Sequence, residues 1–169
     1  MSRVSFFFLV AALAIVASCN PFAPSVSEIG STAQFGNPHT VNGYFQAFQY
    51  AYEFKDTSVY GSLLAPNFIF SFHDYNRGVD IQWGRDDEMQ TTATLFQNVQ
   101  TISLLWGDVL DAEGSPSGTD STVTRAFSLD VTFNEEDIEH ADGSAVFHLQ
   151  RATSSAIWQA VSWQDESTF

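Results

Sequence analysis

The chain has 169 residues, enough for one domain of ordinary size. Twenty acidic residues against six basic ones give a formal charge of −14, and Lys55 is the only lysine. Affinity for nucleic acid, or for anionic lipid through a basic patch, needs clustered Lys and Arg, so this composition argues against both. An aromatic content of 15% with 16 Phe is too high for a disordered acidic chain. A single cysteine forbids an internal disulfide.

Residues 1–18 read as a signal peptide. Arg3 supplies the positive start, and Phe6 to Val16 is an unbroken apolar run, too short to span a bilayer comfortably. Small Ala17 and Ser18 then precede Cys19. The ending Val16-Ala17-Ser18-Cys19 resembles the lipobox of bacterial lipoproteins. That resemblance implies cleavage before Cys19, a diacylglyceryl thioether and an acylated (palmitate-type) amino terminus there, and attachment to a membrane of the cell envelope. Asn20 instead of Asp after the cysteine points to the outer membrane over the inner. Residues 19–40 then form the lipidated cysteine and a flexible tether, rich in Pro, Gly and small polar residues. Some twenty flexible residues reach about 25 Å.

Residues 41–169 carry the fold. Val41, Tyr44, Phe45, Phe48, Ala51 and Tyr52 lie at helical spacing and predict a helix over 41–54, capped by Thr40 or Asn42. Asp56 is placed to cap a second, short helix over 57–64, which Pro66 would end. Phe68, Phe70 and Phe72 then alternate as a strand. Residues 74–84 read as a loop with a turn at Asn76-Arg77-Gly78. Asp86, Asp87 and Glu88 suit the first turn of a third helix over 86–98, with Met89, Ala93, Phe96 and Val99 as its apolar side.

From there the period is 2. Ile102, Leu104 and Trp106 define one strand, and 111–121 reads as a loop. Val123, Phe127, Leu129, Val131 and Phe133 share one face of a long strand. An acidic turn (135–139, then Asp142-Gly143) leads to a strand with Ala145, Phe147 and Leu149, and the last strand covers 156–165. Trp158 and Trp163 are five apart, so either they face opposite sides or a bulge lies between them. Helices first and an antiparallel meander after make an α+β domain, with about three helices packed on one sheet.

This order resembles the nuclear transport factor 2-like superfamily, which includes SnoaL-like cyclases, ketosteroid isomerases and scytalone dehydratase. The local likenesses are Tyr44-Phe45-Gln46-Ala47-Phe48 followed by Tyr60 to Phe68, the polar helix start Trp83-Gly84-Arg85-Asp86-Asp87-Glu88, and the ending Trp158-Gln159-Ala160-Val161-Ser162-Trp163-Gln164-Asp165. The ending is similar to a W-x-I-x-x-W-x-D terminal strand, with Ala160 where a larger aliphatic is usual. The resemblance implies a cone: a bent antiparallel sheet wrapped around helices, often leaving an apolar pocket. It also implies a homodimer formed through the open sheet and a small hydrophobic ligand.

His73, ending the Phe-rich strand beside Asp74, is the catalytic candidate, although adjacent strand residues point to opposite faces. His148 lies on the polar side of its strand. Tyr44, Phe48, Tyr60, Phe70, Trp83, Trp106 and Trp158 are the pocket candidates. Tyr44, Tyr52 and Tyr60 could aim hydroxyls into the cone. Arg85, Arg125 and Arg151 are read as salt-bridging across the sheet. No EF-hand or HExxH spacing occurs among the acidic turns, so no metal is expected, nor any cofactor. With no clear acid–base pair, the reading is a non-catalytic, lipid-anchored binding or assembly module. The alternative is an isomerase, dehydratase or cyclase acting on a small hydrophobic molecule.

Overall fold

The computed structural model describes residues 35–167. The signal-like segment, Cys19 and residues 20–34 of the expected tether lie outside the described residues.

Helix α1 (Val41–Glu53) starts where Thr40 accepts a hydrogen bond from the Gly43 amide at 3.0 Å. Gly43 is required there, because a Cβ would sit 1.9 Å from the Asn37 carbonyl oxygen. The helix buries Tyr44, Phe45, Phe48, Ala51 and Tyr52 of the predicted stripe and Ala47 besides, while Val41 is half-buried. Its end is a Schellman turn: the Asp56 amide donates to Ala51 O (2.8 Å), the Lys55 amide to Tyr52 O (3.2 Å), and Lys55 takes the left-handed conformation at φ 56°. Asp56 then caps α2 (Thr57–Ser62) by accepting from the Ser58 and Val59 amides at 2.9 and 3.0 Å. Pro66 does not end this helix. The helix stops at Ser62, and Pro66 sits at an exposed position inside the next strand.

Strand β1 (Leu64–Asp74) turns at Asn76–Gly78 into β2 (Val79–Gly84), so the expected loop over 74–84 is largely an antiparallel strand. Asp74 holds the turn by accepting from the Asn76 and Arg77 amides at 3.0 Å, and Gly78 supplies its φ of +63°. Helix α3 (Arg85–Asn98) follows directly. Its buried line is Glu88, Thr92 and Phe96, rotated from the expected Met89, Ala93, Phe96 stripe.

The remaining strands are β3 (Thr101–Gly114), β4 (Asp120–Asn134), β5 (Asp137–Gln150) and β6 (Gln159–Asp165). They run as the expected antiparallel meander but are longer at their turns, so that Asp142 and Gly143 lie within β5 instead of forming a turn. The six strands are ordered β2-β1-β6-β5-β4-β3. All neighbours are antiparallel except β1 and β6, which are parallel, so the curved sheet is mixed and not wholly antiparallel.

A bulge decides what β6 presents. Leu149 pairs with Ala160 but His148 with Ser162, which leaves Val161 as an extra residue. Trp158, Ala160, Trp163 and Asp165 therefore share the inward parity, and Ser162 and Gln164 the outward one. The core lies between the inward face and the helices: Tyr44, Phe45, Phe48, Tyr60, Phe68 and Phe147 are fully enclosed. The rings meet mostly edge to face, as their quadrupoles prefer, with Phe147 and Trp163 stacked at 5.4 Å.

Candidate functional site: the cone interior

Helices α1 and α3 face the inward side of the sheet across two polar features and one apolar cleft. The first polar feature is Glu88, only 3% exposed. Its Oε1 accepts from the Tyr60 hydroxyl (2.5 Å) and the Thr92 hydroxyl (3.0 Å), and its Oε2 accepts from the Trp83 indole N–H (2.7 Å). A buried carboxylate is tolerable only when its oxygens are bonded in this way. Burial first, then Tyr52 and Glu88, push the Tyr60 phenol well above its ordinary range. Tyr52 is raised by burial and then by Glu88, with hydrogen bonds to Tyr60 and Thr92 working against the rise. Tyr44 is raised by burial. All three phenols therefore stay protonated at neutral pH and are not bases; Tyr60 is the one that donates to Glu88.

The cleft is lined by Phe48, Tyr52, Leu104, Trp106, Phe127, Leu129 and Trp163. Its free volume is about 20 Å³, which one water molecule fills. Preformed small-molecule pockets are roughly 300–1,000 Å³. Two buried polar atoms have no partner among the described residues: the Tyr44 hydroxyl and the Trp163 indole nitrogen.

The second polar feature is Asp165, two residues beyond Trp163 and inward-facing by the register of β6. It is half-buried, and its carboxylate accepts from the Ser167 amide at 2.8 Å. Burial raises its carboxyl above the ordinary Asp range, partly offset by the bonds from Ser167. Its charge also contributes to the upward push on Tyr52.

The pocket candidates divide. Phe48 and Trp106 line the cleft. Tyr44, Tyr60 and Phe70 pack around it in the core, and Trp83 holds Glu88 while packing on Phe70 at 4.5 Å. Trp158 lies away from the cleft, under the Arg151 guanidinium at 4.2 Å. His73 lies on the outward face of β1. Its Nδ1 is 2.6 Å from Asp80 Oδ1 on β2, while Asp74 serves the turn. His148 is also outward, 2.9 Å from the Thr122 hydroxyl. All four described histidines are exposed.

The arginines do not form the expected cross-strand salt bridges. Arg85 donates to the Leu64 and Gly61 carbonyls, Arg125 to Gly107 O, and Arg151 to Gly118 O and His39 O. Arg125 faces inward beside the Phe45 ring at 5.0 Å, and burial lowers its pKa. Among the described residues no three metal-ligating side chains converge, and no helix is long and apolar enough to cross a membrane.

Sequence periodicity did not pick out Glu88 or Asp165. The signals were present: Glu88, Thr92 and Phe96 repeat at i, i+4, i+8, and Asp165 shares parity with Trp163.

No family model matches the sequence, and no curated protein does. Solved structures do match. A conserved protein from Planctomyces limnophilus superposes with a TM-score of 0.64 at 13% identity, over 76% of this chain and 93% of its own. A candidate scytalone dehydratase from Novosphingobium aromaticivorans matches with a TM-score of 0.64 at 10% identity, over 84% and 87%. A nuclear transport factor 2-like protein of unknown function from Rhodospirillum rubrum matches at 0.59 and 14% identity, over 77% and 99%. At such identities the likeness concerns the fold alone, and the fold is the nuclear transport factor 2-like cone.

Proposed function

We propose that this chain is a non-catalytic module of the bacterial cell envelope, anchored through lipidated Cys19 in the outer membrane, that works through its folded surface. The observation that carries the reading is the state of the cone. Its cleft is closed to about 20 Å³ by its own aromatic rings. Its innermost carboxylate, Glu88, already accepts three hydrogen bonds, and every described histidine lies outside. A carrier or catalyst of small hydrophobic molecules needs free volume and an unengaged polar group together.

Two measurements test this. Titration of the full chain with the neutral probe N-phenyl-1-naphthylamine should give no saturable signal; one-to-one saturation with quenching of tryptophan emission would overturn the closed cone. Metabolic labelling with an alkynyl fatty acid should mark the wild type and not Cys19→Ala; equal label in both would refute the anchor.

A second reading, an isomerase or dehydratase, is favoured by Asp165 alone, an inward carboxyl lifted by burial beside an apolar cleft. It requires that some small ketone or alcohol be converted by the wild type and not by Asp165→Asn. Equal rates in the two proteins would remove it.

A further inference from the structure

The outward face of the sheet holds a second concavity, unrelated to the cone. It is a groove of about 280 Å³ across β2, β1 and β6, lined by Ser71, Phe72, His73, Asp80, Gln82 and Gln164. The register builds it. Ser71 pairs with Gln82 on one side and with Gln164 on the other, so a hydroxyl and two amides stand in one row over three strands. One step along the sheet, His73 pairs with Asp80. Phe72 turns its ring to the core, and the other five lining residues each offer a hydrogen-bond donor or acceptor, four of them planar.

These groups are largely unspent. Neither Ser71 nor Gln82 is hydrogen-bonded through its side chain to another described residue. Gln164 reaches only a 3.5 Å contact to Glu166. His73 binds Asp80 through Nδ1, which leaves Nε2 for another partner. Beside the groove Tyr75 is 72% exposed, its ring edge-on to His73 at 4.7 Å. That is a large apolar surface to leave in water at the lip of a polar hollow.

We propose that this groove binds a neutral sugar ring, one pyranose unit of a polysaccharide or oligosaccharide. The chemistry of the lining selects the class. An apolar ligand would leave several polar groups unpaired. An anionic ligand would meet Asp80 with no Lys or Arg in the lining, on a chain of charge −14. A divalent metal would need a third ligand beside His73 and Asp80, and none converges. Vicinal hydroxyls on a six-membered ring suit planar amide, carboxylate and imidazole groups, and the apolar face of the ring suits Tyr75. This inference is independent of whether the cone is closed.

The test is nuclear magnetic resonance titration of the 15N-labelled full chain, following the side-chain amide signals of Gln82 and Gln164. The probes are cellobiose, maltose and N,N′-diacetylchitobiose, with spermidine and inorganic phosphate as charged counterparts. At least one saccharide should shift both amides saturably. Tyr75→Ala and Gln82→Ala, each checked for an unchanged spectrum elsewhere, should weaken that binding about tenfold, the size of one lost hydrogen-bonded or stacking contact. The proposal fails if all three saccharides leave the two amides unmoved, if spermidine or phosphate alone shifts them, or if both variants bind as the wild type does.

Discussion

At the scale of single residues, Glu88 shows how a polar side chain earns a place in an aromatic core. Each of its oxygens is engaged, and each donor comes from a different element: α2 (Tyr60), α3 (Thr92) and β2 (Trp83). Removing one donor leaves a buried carboxylate under-bonded. Tyr60→Phe should therefore cost about 1–3 kcal/mol, and Glu88→Gln a similar amount because its NH2 group must face a donor. Urea unfolding measures this, and a loss below about 0.5 kcal/mol for both would show that the network is dispensable. The sequence placed Glu88 in the first turn of a helix, where an acidic residue complements the dipole. It gave no sign that the helix is rotated to bury it, because rotation is set by what α3 packs against. Asp165 escaped for a related reason: its inward direction depends on a bulge four residues earlier.

His140 is a second residue-scale case, this time on the surface. Its Nδ1 lies 2.6 Å from Asp130 and its Nε2 2.8 Å from Asp142. The bond to Asp130 first, then that to Asp142, raises the His140 pKa, and the bond to His140 lowers that of Asp142. A raised histidine stabilises fully below its unfolded pKa of 6.5 and loses that contribution as pH rises through the folded value. A lowered aspartate stabilises above its unfolded pKa of 3.8 and loses that as pH falls through the folded value. The pair thus contributes most between pH 3.8 and 6.5. The melting temperature of His140→Ala should fall furthest below wild type near pH 5 and approach it by pH 9. A gap that does not change with pH would contradict the linkage.

At the scale of elements, the helices and the meander were legible because each repeats one period long enough to be read. Helix α1 offers seven buried positions at helical spacing, and in β4 Val123, Phe127, Leu129, Val131 and Phe133 share one parity. Strand β2 was not legible. Val79, Ile81 and Trp83 do alternate with Asp80 and Gln82, but the run is only five residues long and follows directly on the turn at Asn76–Gly78, so it reads as part of the loop around that turn. The parallel pairing of β1 with β6 joins segments more than eighty residues apart, and no local pattern encodes it. The bulge at Val161 was half-legible, since the Trp158 to Trp163 spacing demands either a bulge or a change of face. Its weight can be measured. Deleting Val161 removes the extra residue and leaves Trp163 and Asp165 inward, whereas inserting one residue between Ser162 and Trp163 turns both outward and empties the core of a ring that packs on Phe48, Phe70 and Phe147. Loss of a large buried aromatic costs about 3–5 kcal/mol. The insertion should give a chain without cooperative unfolding, whereas the Val161 deletion, which keeps every facing, should fold. If the insertion mutant melts cooperatively near the wild-type temperature, strand parity after the bulge does not set the face.

At the scale of the whole molecule, the charge is unbalanced and the few cations do little to balance it. Lys55 donates to the Val99 and Gln100 carbonyls, and Arg85, Arg125 and Arg151 likewise spend their N–H groups on backbone oxygens. Among the described residues, one arginine lies within 4 Å of a carboxylate, Arg77 at 3.9 Å from Asp74. Carboxylates spread over a small surface without counter-charges repel one another, and folding brings them closer than in the open chain. Salt relieves this repulsion. Between about 10 mM and 0.15 M the Debye length falls from about 30 Å to about 8 Å, so most of the screening is complete by physiological ionic strength. The melting temperature should therefore rise by a few degrees over that range, the shift expected for about 1 kcal/mol in a domain of this size, and level off beyond it. NaCl and KCl should act alike, since screening depends on ionic strength and not on ion identity. A melting temperature that is flat or falls with salt, or that rises only above about 1 M where surface exclusion acts instead, would mean that the acidic surface is no burden to the fold.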